Sequence, residues 1–142
     1  MSWQELHQNS TVVDLHSHSM LKAEIFDRKL SNRDGKWLSA RATFPKIDEG
    51  GIDVLLSTAY VLEQGWIDDI SLIDWLLWLT PSVRKKIVEP TYFNATKNML
   101  DGMEKQVDAY NENLPKGNRR MSIVSCPADI ATNLENGHIS IV

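Results

Sequence analysis

Short apolar runs alternate with helical segments along this chain, and that alternation limits it to a narrow set of folds. Residues 11–16, 52–61, 121–125 and 139–142 read as strands. The segments between them carry helical spacing and helical end signals. Strands that alternate with helices imply a parallel α/β architecture. The second run is apolar on both faces, which suits a strand covered on two sides.

Four helices are predicted between the strands. Residues 44–51 form a short one, with Pro45 in the first turn and Gly50-Gly51 at the exit. Residues 66–79 form another, opened by Asp68 and Asp69 and stopped by Pro81. Trp66, Trp75 and Trp78 help make it apolar almost all round, so it should be buried in the core or in a subunit contact of a homo-oligomer. Residues 92–114 form a long helix with Thr91 as N-cap and Pro115 and Gly117 closing it. Its predicted core stripe is Phe93, Leu100, Met103, Val107, Tyr110 and Leu114. Lys97, Glu104, Lys105 and Asp108 fall outside that stripe and should be solvated. A last short helix opens at Pro127 and ends near Asn136, with Gly137 as a left-handed exit and Asp129 complementing the dipole. Residues 20–43 read as a long polar loop with a turn at Asn32-Arg33-Asp34-Gly35, which suggests a lid or a disordered segment.

Composition excludes several classes. A chain of 142 residues is one domain, and 42% apolar with 24% charged residues is a globular balance. The net charge is −4, and the densest basic run, Arg84-Lys85-Lys86, is too short for a nucleic-acid surface. The single Cys126 rules out an internal disulfide and fits a reducing compartment. Its place after a strand predicts a buried, inert thiol. The first residues lack the basic and apolar regions of a signal peptide, and residues 72–79 are too short to span a bilayer. A cytoplasmic protein without membrane or nucleic-acid partners is expected.

The chemistry concentrates in Thr-Val-Val-Asp-Leu-His-Ser-His-Ser, residues 11–19. On a regular strand, residues i and i+2 share a face. His16 and His18 should then lie side by side where the strand runs out. Two neutral imidazoles so placed can bind one divalent ion, with Zn–N bonds of about 2.0–2.1 Å. Asp14, two residues earlier, could hold an imidazole N–H and fix its tautomer.

Val12-Val13-Asp14-Leu15-His16-Ser17-His18 resembles the first-strand metal motif of the amidohydrolase-type hydrolases. Residues 44–53, 54–61 and 122–142 extend the likeness to most of the chain. Together they resemble the N-terminal part of the renal (membrane) dipeptidase family of metallopeptidases. The resemblance implies a (β/α)8 TIM-type barrel, a binuclear zinc site and hydrolysis of dipeptides with a metal-activated water. It places two metal ligands at His16 and His18. The family carries aspartate at the second position, whereas His-x-His is usual in the wider superfamily. Its bridging glutamate and later ligands fall beyond Val142.

A barrel needs about 250 residues, and about 200 at least. Residues 1–142 are therefore expected to be a truncated N-terminal part of one hydrolase barrel, inactive as a fragment. The terminal run 139–142 is expected to leave an open apolar edge. His138 precedes it, at the end of the barrel away from the chemistry, and should be structural or exposed.

Two other readings compete. Asp-Leu-His-Ser-His-Ser also resembles the opening motif of phosphoesterases of the polymerase-and-histidinol-phosphatase type. That family follows with a second strand ending in Thr-Asp-His, where this chain has Ser57-Thr58-Ala59-Tyr60-Val61. A non-catalytic binding or assembly module would instead use the tryptophan-rich helix 66–79.

Overall fold

Among the described residues, four parallel strands carry the fold: β1 (Val13–Ser17), β2 (Val54–Ser57), β3 (Met121–Ile123) and β4 (Ile139–Ile141). They are seen in a computed structural model that describes residues 2–25, 28–33, 40–59, 61, 75, 78, 79, 81 and 91–142. Among the described residues, the helices with defined bounds are α1 (Trp3–Gln8), α2 (Ser19–Ile25), α3 (Phe44–Glu49), α4 (Tyr92–Glu112) and α5 (Pro127–Glu135). The parallel α/β class expected from the alternation is what the chain adopts.

The strand order is β1-β2-β4-β3. β4 therefore lies inside the sheet, and Ile139, Ser140 and Ile141 are all buried. This corrects the expectation of an open apolar edge at 139–142: β2 covers one side of that strand and β3 the other. In a barrel of successive βα units the strands follow in sequence order with every helix outside. Here β4 inserts between β2 and β3, and helices lie on both faces.

The two faces follow from strand alternation. Leu55, Met121, Ile139 and Ile141 join the core with Met20 and Ala23 of α2, Phe44 and Ile47 of α3, and Met103 and Val107 of α4. Ser140 points the opposite way and is fully buried. There Asn133 of α5 donates from Nδ2 to its hydroxyl at 3.0 Å. A buried hydroxyl needs such a partner, because leaving it unpaired costs about 1–3 kcal/mol.

The segment expected to be a polar loop opens as a helix over residues 20–25, whereas 28–33 and 40–43 are turns and irregular chain as expected. The chain turns into α2 one residue after β1, and Met20, Ala23, Leu30, Ala40 and Thr43 are buried. The polar residues between them masked an apolar face that the sheet required. Residues 26, 27 and 34–39 lie outside the described residues.

Helix α4 begins where predicted, with Thr91 accepting from the Asn94 N–H at 3.2 Å. Its buried stripe is different. Ala95, Met99, Met103, Val107 and Tyr110 face the core, whereas Phe93 and Leu100 are exposed. At about 100° per residue, Leu100 and Phe93 sit roughly 60° and 80° round from Met103, on the side away from Met99 and Ala95. Contact with α2 selects the Ala95–Met99 side, and Gly102 lies so close to Glu24 that a Cβ would meet its Oε1 at 2.6 Å. Tyr110 packs edge-on against Phe44, with ring centroids 5.3 Å apart.

Helix α5 matches its prediction. Pro127 opens it and Gly137 leaves it at φ +67°. Cys126, however, is exposed, which corrects the buried thiol: it is the N-cap of α5 and stands beyond the sheet's end. Of the predicted helix 66–79, only Trp75, Trp78 and Leu79 are described; all three are helical and exposed. The rest of that prediction lies outside the described residues.

Candidate metal site at the end of strand β1

His16 and His18 come together, though by another route than strict alternation. Val13 pairs with Val54 and Asp14 with Leu55, but Ser17 pairs with Ser57. Two residues of β1 thus stand opposite the single Leu56, which is a β-bulge. The bulge leaves Leu15 and His16 both exposed and returns Ser17 to the buried side. Bulges re-aim side chains in this way beside functional sites.

Local hydrogen bonds hold the bulge open. The His16 N–H donates to Asp14 Oδ1 at 3.1 Å, a turn that aspartate makes with the main chain two residues on. Through Oδ1 the Asp14 carboxylate thus reaches the main chain of His16. Beyond the strand, Ser17 Oγ and Ser19 Oγ are 3.0 Å apart, and the Ser19 N–H donates to Ser17 Oγ at 3.4 Å. These contacts carry the chain from β1 into α2 and set His18 beside His16. The two imidazoles lie edge to face, with centroids 4.3 Å apart and planes at 86°.

The ring of His16 has a partner that the sequence reading did not pick out. Thr58 Oγ1 lies 3.3 Å from His16 Nδ1. Thr58 is the first residue past β2, and its N–H donates to Ser17 O at 2.8 Å. Parallel pairing brings the residue that leaves one strand next to the residues that leave its neighbour. That register was the signal for Thr58, and it requires knowing which strands pair.

Both histidines and Thr58 stand at the carboxyl end of the parallel sheet. In α/β sheets ligands bind outside those ends. The donor set fits a divalent ion in part: two exposed imidazoles stand side by side. Among the described residues, no third His, Cys, Asp or Glu joins them. A catalytic zinc usually has three protein ligands.

The remaining candidates lie elsewhere. His138 is half-buried, and its N–H donates to Asn133 O at 2.8 Å, joining α5 to β4. It also lines a cleft of about 470 Å³ along the outer side of β3, with Glu104, Asp108 and Arg120. At the start of α5, the N–H groups of Ser125 and Cys126 each donate to Asp129 Oδ2 at 3.0 Å. These two bonds hold the Asp129 carboxyl below its ordinary range. Asp129 thus closes the helix start, as its position suggested.

The opposite end of the sheet holds an ion cluster that the sequence reading missed. Arg119 Nε donates to Asp48 Oδ1 at 2.7 Å, Nη1 to Asp53 Oδ1 at 2.6 Å, and Nη2 to Ile52 O at 2.9 Å. Sequence alone offered only Asp48 and Asp53 flanking the Gly50-Gly51 turn; their cation lies more than sixty positions on. Among the described residues, no helix is long and apolar enough to cross a membrane. No protein-family model, curated protein or solved structure matches the chain.

Proposed function

We propose that this chain contributes part of the metal site of a metal-dependent hydrolase of the dipeptidase type. The observation that carries the reading is the pair of adjacent imidazoles, packed edge to face with 4.3 Å between centroids, at the carboxyl end of a parallel sheet. Zinc is the ion proposed, because imidazole pairs at strand ends suit it. When bound, such an ion supplies Lewis acidity that activates a water and polarises an amide carbonyl. His16 and His18 hold it, the bulge at Leu15 and His16 aims the first ring, and Ser17 and Ser19 fix the path that places the second. The (β/α)8 barrel implied by the resemblance is the finer architecture. The parallel strands and the strand-end histidines support it, and the β1-β2-β4-β3 order departs from it.

The test combines binding and turnover. Zinc binding to the chain is measured by calorimetry for the native protein and for His16→Ala and His18→Ala. Dipeptide hydrolysis is followed in the presence of zinc. Binding that each substitution weakens at least tenfold supports the site; binding indifferent to both removes it. Cleavage of a phosphate monoester in place of a dipeptide would favour the phosphoesterase reading.

A second reading has its own observation. Trp75 and Trp78 are 54% and 67% exposed, and exposed tryptophans favour a contact between copies. Sedimentation of the native chain against the double variant Trp75→Ala, Trp78→Ala tests it: dissociation of an oligomer supports the contact.

A further inference from the structure

We infer that Thr58 is a positioning residue for His16, deciding which ring nitrogen is offered to a metal ion. The inference rests on the metal-site reading above. A neutral imidazole has one N–H and one lone pair. A metal takes the lone pair, so the proton must sit on the other nitrogen. Thr58 Oγ1 lies 3.3 Å from Nδ1. With Nδ1–H donating to that hydroxyl, the lone pair is on Nε2, on the far side of the ring from Thr58. Ligation through Nδ1 would require the ring to leave Thr58.

The contact is built from rigid parts. The Thr58 N–H is bonded to Ser17 O, next to His16 in the chain. Threonine is β-branched and stiff at χ1, so its hydroxyl is held in few directions. The bulge brings the His16 ring to that hydroxyl: without the extra residue, the register of β1 against β2 would shift past Asp14. Metal-binding histidines commonly donate their second ring N–H to such a partner, and its loss costs about 10–100-fold in metal affinity. Asp14 was the natural candidate for this task by sequence; through Oδ1 its carboxylate reaches the His16 main chain.

Two measurements on the full chain test the assignment. Long-range ¹H–¹⁵N correlation of the neutral His16 ring reads the tautomer directly. The native protein is expected to show Nδ1–H, and an Nε2–H tautomer would overturn the proposal without any variant. Zinc calorimetry is then compared for Thr58→Val, which keeps the branched shape without the hydroxyl, and Thr58→Ser, which keeps the hydroxyl. We expect Thr58→Val to bind about 10–100-fold more weakly with a mixed tautomer, and Thr58→Ser to stay near native. Native affinity and tautomer in Thr58→Val, with binding still lost in His16→Ala, would overturn the role of Thr58 while sparing the metal site. Zinc binding unchanged in both His16→Ala and His18→Ala would overturn the site and this inference with it.

Discussion

Arg119 and Asp53 lie 2.6 Å apart across the amino-terminal end of the sheet, and the other Asp53 oxygen accepts from the Val12 N–H at 2.9 Å. One guanidinium thereby ties the entries of β1, β2 and β3 to the end of α3 through Asp48. Burial works against the charge on Arg119, but Asp48 and Asp53 more than offset it and raise its pKa. Arg119 is partly buried, so its removal leaves two carboxylates without their cation. Arg119→Met should cost about 2–3 kcal/mol in chemical denaturation. Arg119→Lys should recover only part, because an ammonium cannot reproduce the fork.

The position of the α4 stripe can be tested by truncation. Met103 is buried and Leu100 exposed on the same helix, three residues apart. Met103→Ala should cost about 2–5 kcal/mol, and Leu100→Ala about 0.5 kcal/mol or less. Equal losses in urea denaturation would mean that the helix is rotated from the orientation described.

The Asp129 carboxyl gives a pH signature. Its folded pKa lies below the ordinary 3.8 because main-chain N–H groups favour the anion. The stabilisation is therefore present above that value and lost as pH falls through the folded pKa. Asp129→Asn should melt at a lower temperature than the native protein near neutrality. Thermal melts of the two should converge once the pH falls well under 3.8.

The outer edge of β3 is guarded by one side chain. Asn111 Nδ2 donates to Met121 O at 2.8 Å, and the Met121 N–H donates to Asn111 Oδ1 at 3.0 Å. An amide thus occupies part of an edge where another strand could pair. Asn111→Leu should lower stability by about 1–2 kcal/mol. It should also speed hydrogen exchange at the Met121 amide and promote association that rises with concentration. An unchanged exchange rate would show that Asn111 does not protect the edge.

Gly51 sits at φ +66° with His7 Nε2 3.0 Å from where a Cβ would be. The same nitrogen donates to Gly50 O at 2.9 Å, docking α1 on the turn after α3. Gly51→Ala should cost about 1–2 kcal/mol from the left-handed backbone alone. A loss of that size by thermal or urea denaturation checks it.

The sequence by itself determined the four strands, three of the helices and the class, but neither α1 nor α2. Alternating apolar runs and capped helices gave the parallel α/β reading, the Thr91 cap and the Pro127–Gly137 helix, because these signals act within one or two turns. It also placed His16 and His18 at a strand end, since two residues apart is a local relationship. Tertiary structure alone decided the rest. Whether β4 lay at an edge depended on which strands pair, and pairing is a contact between distant residues. Which side of α4 faced inward depended on α2, hidden in a polar-looking segment. The bulge turned Asp14 toward the main chain and brought the His16 ring to Thr58, because the register between β1 and β2 is set by their shared hydrogen bonds. Arg119 met Asp48 and Asp53 only after the chain had folded, since a long charged side chain carries no periodic signal of its partner.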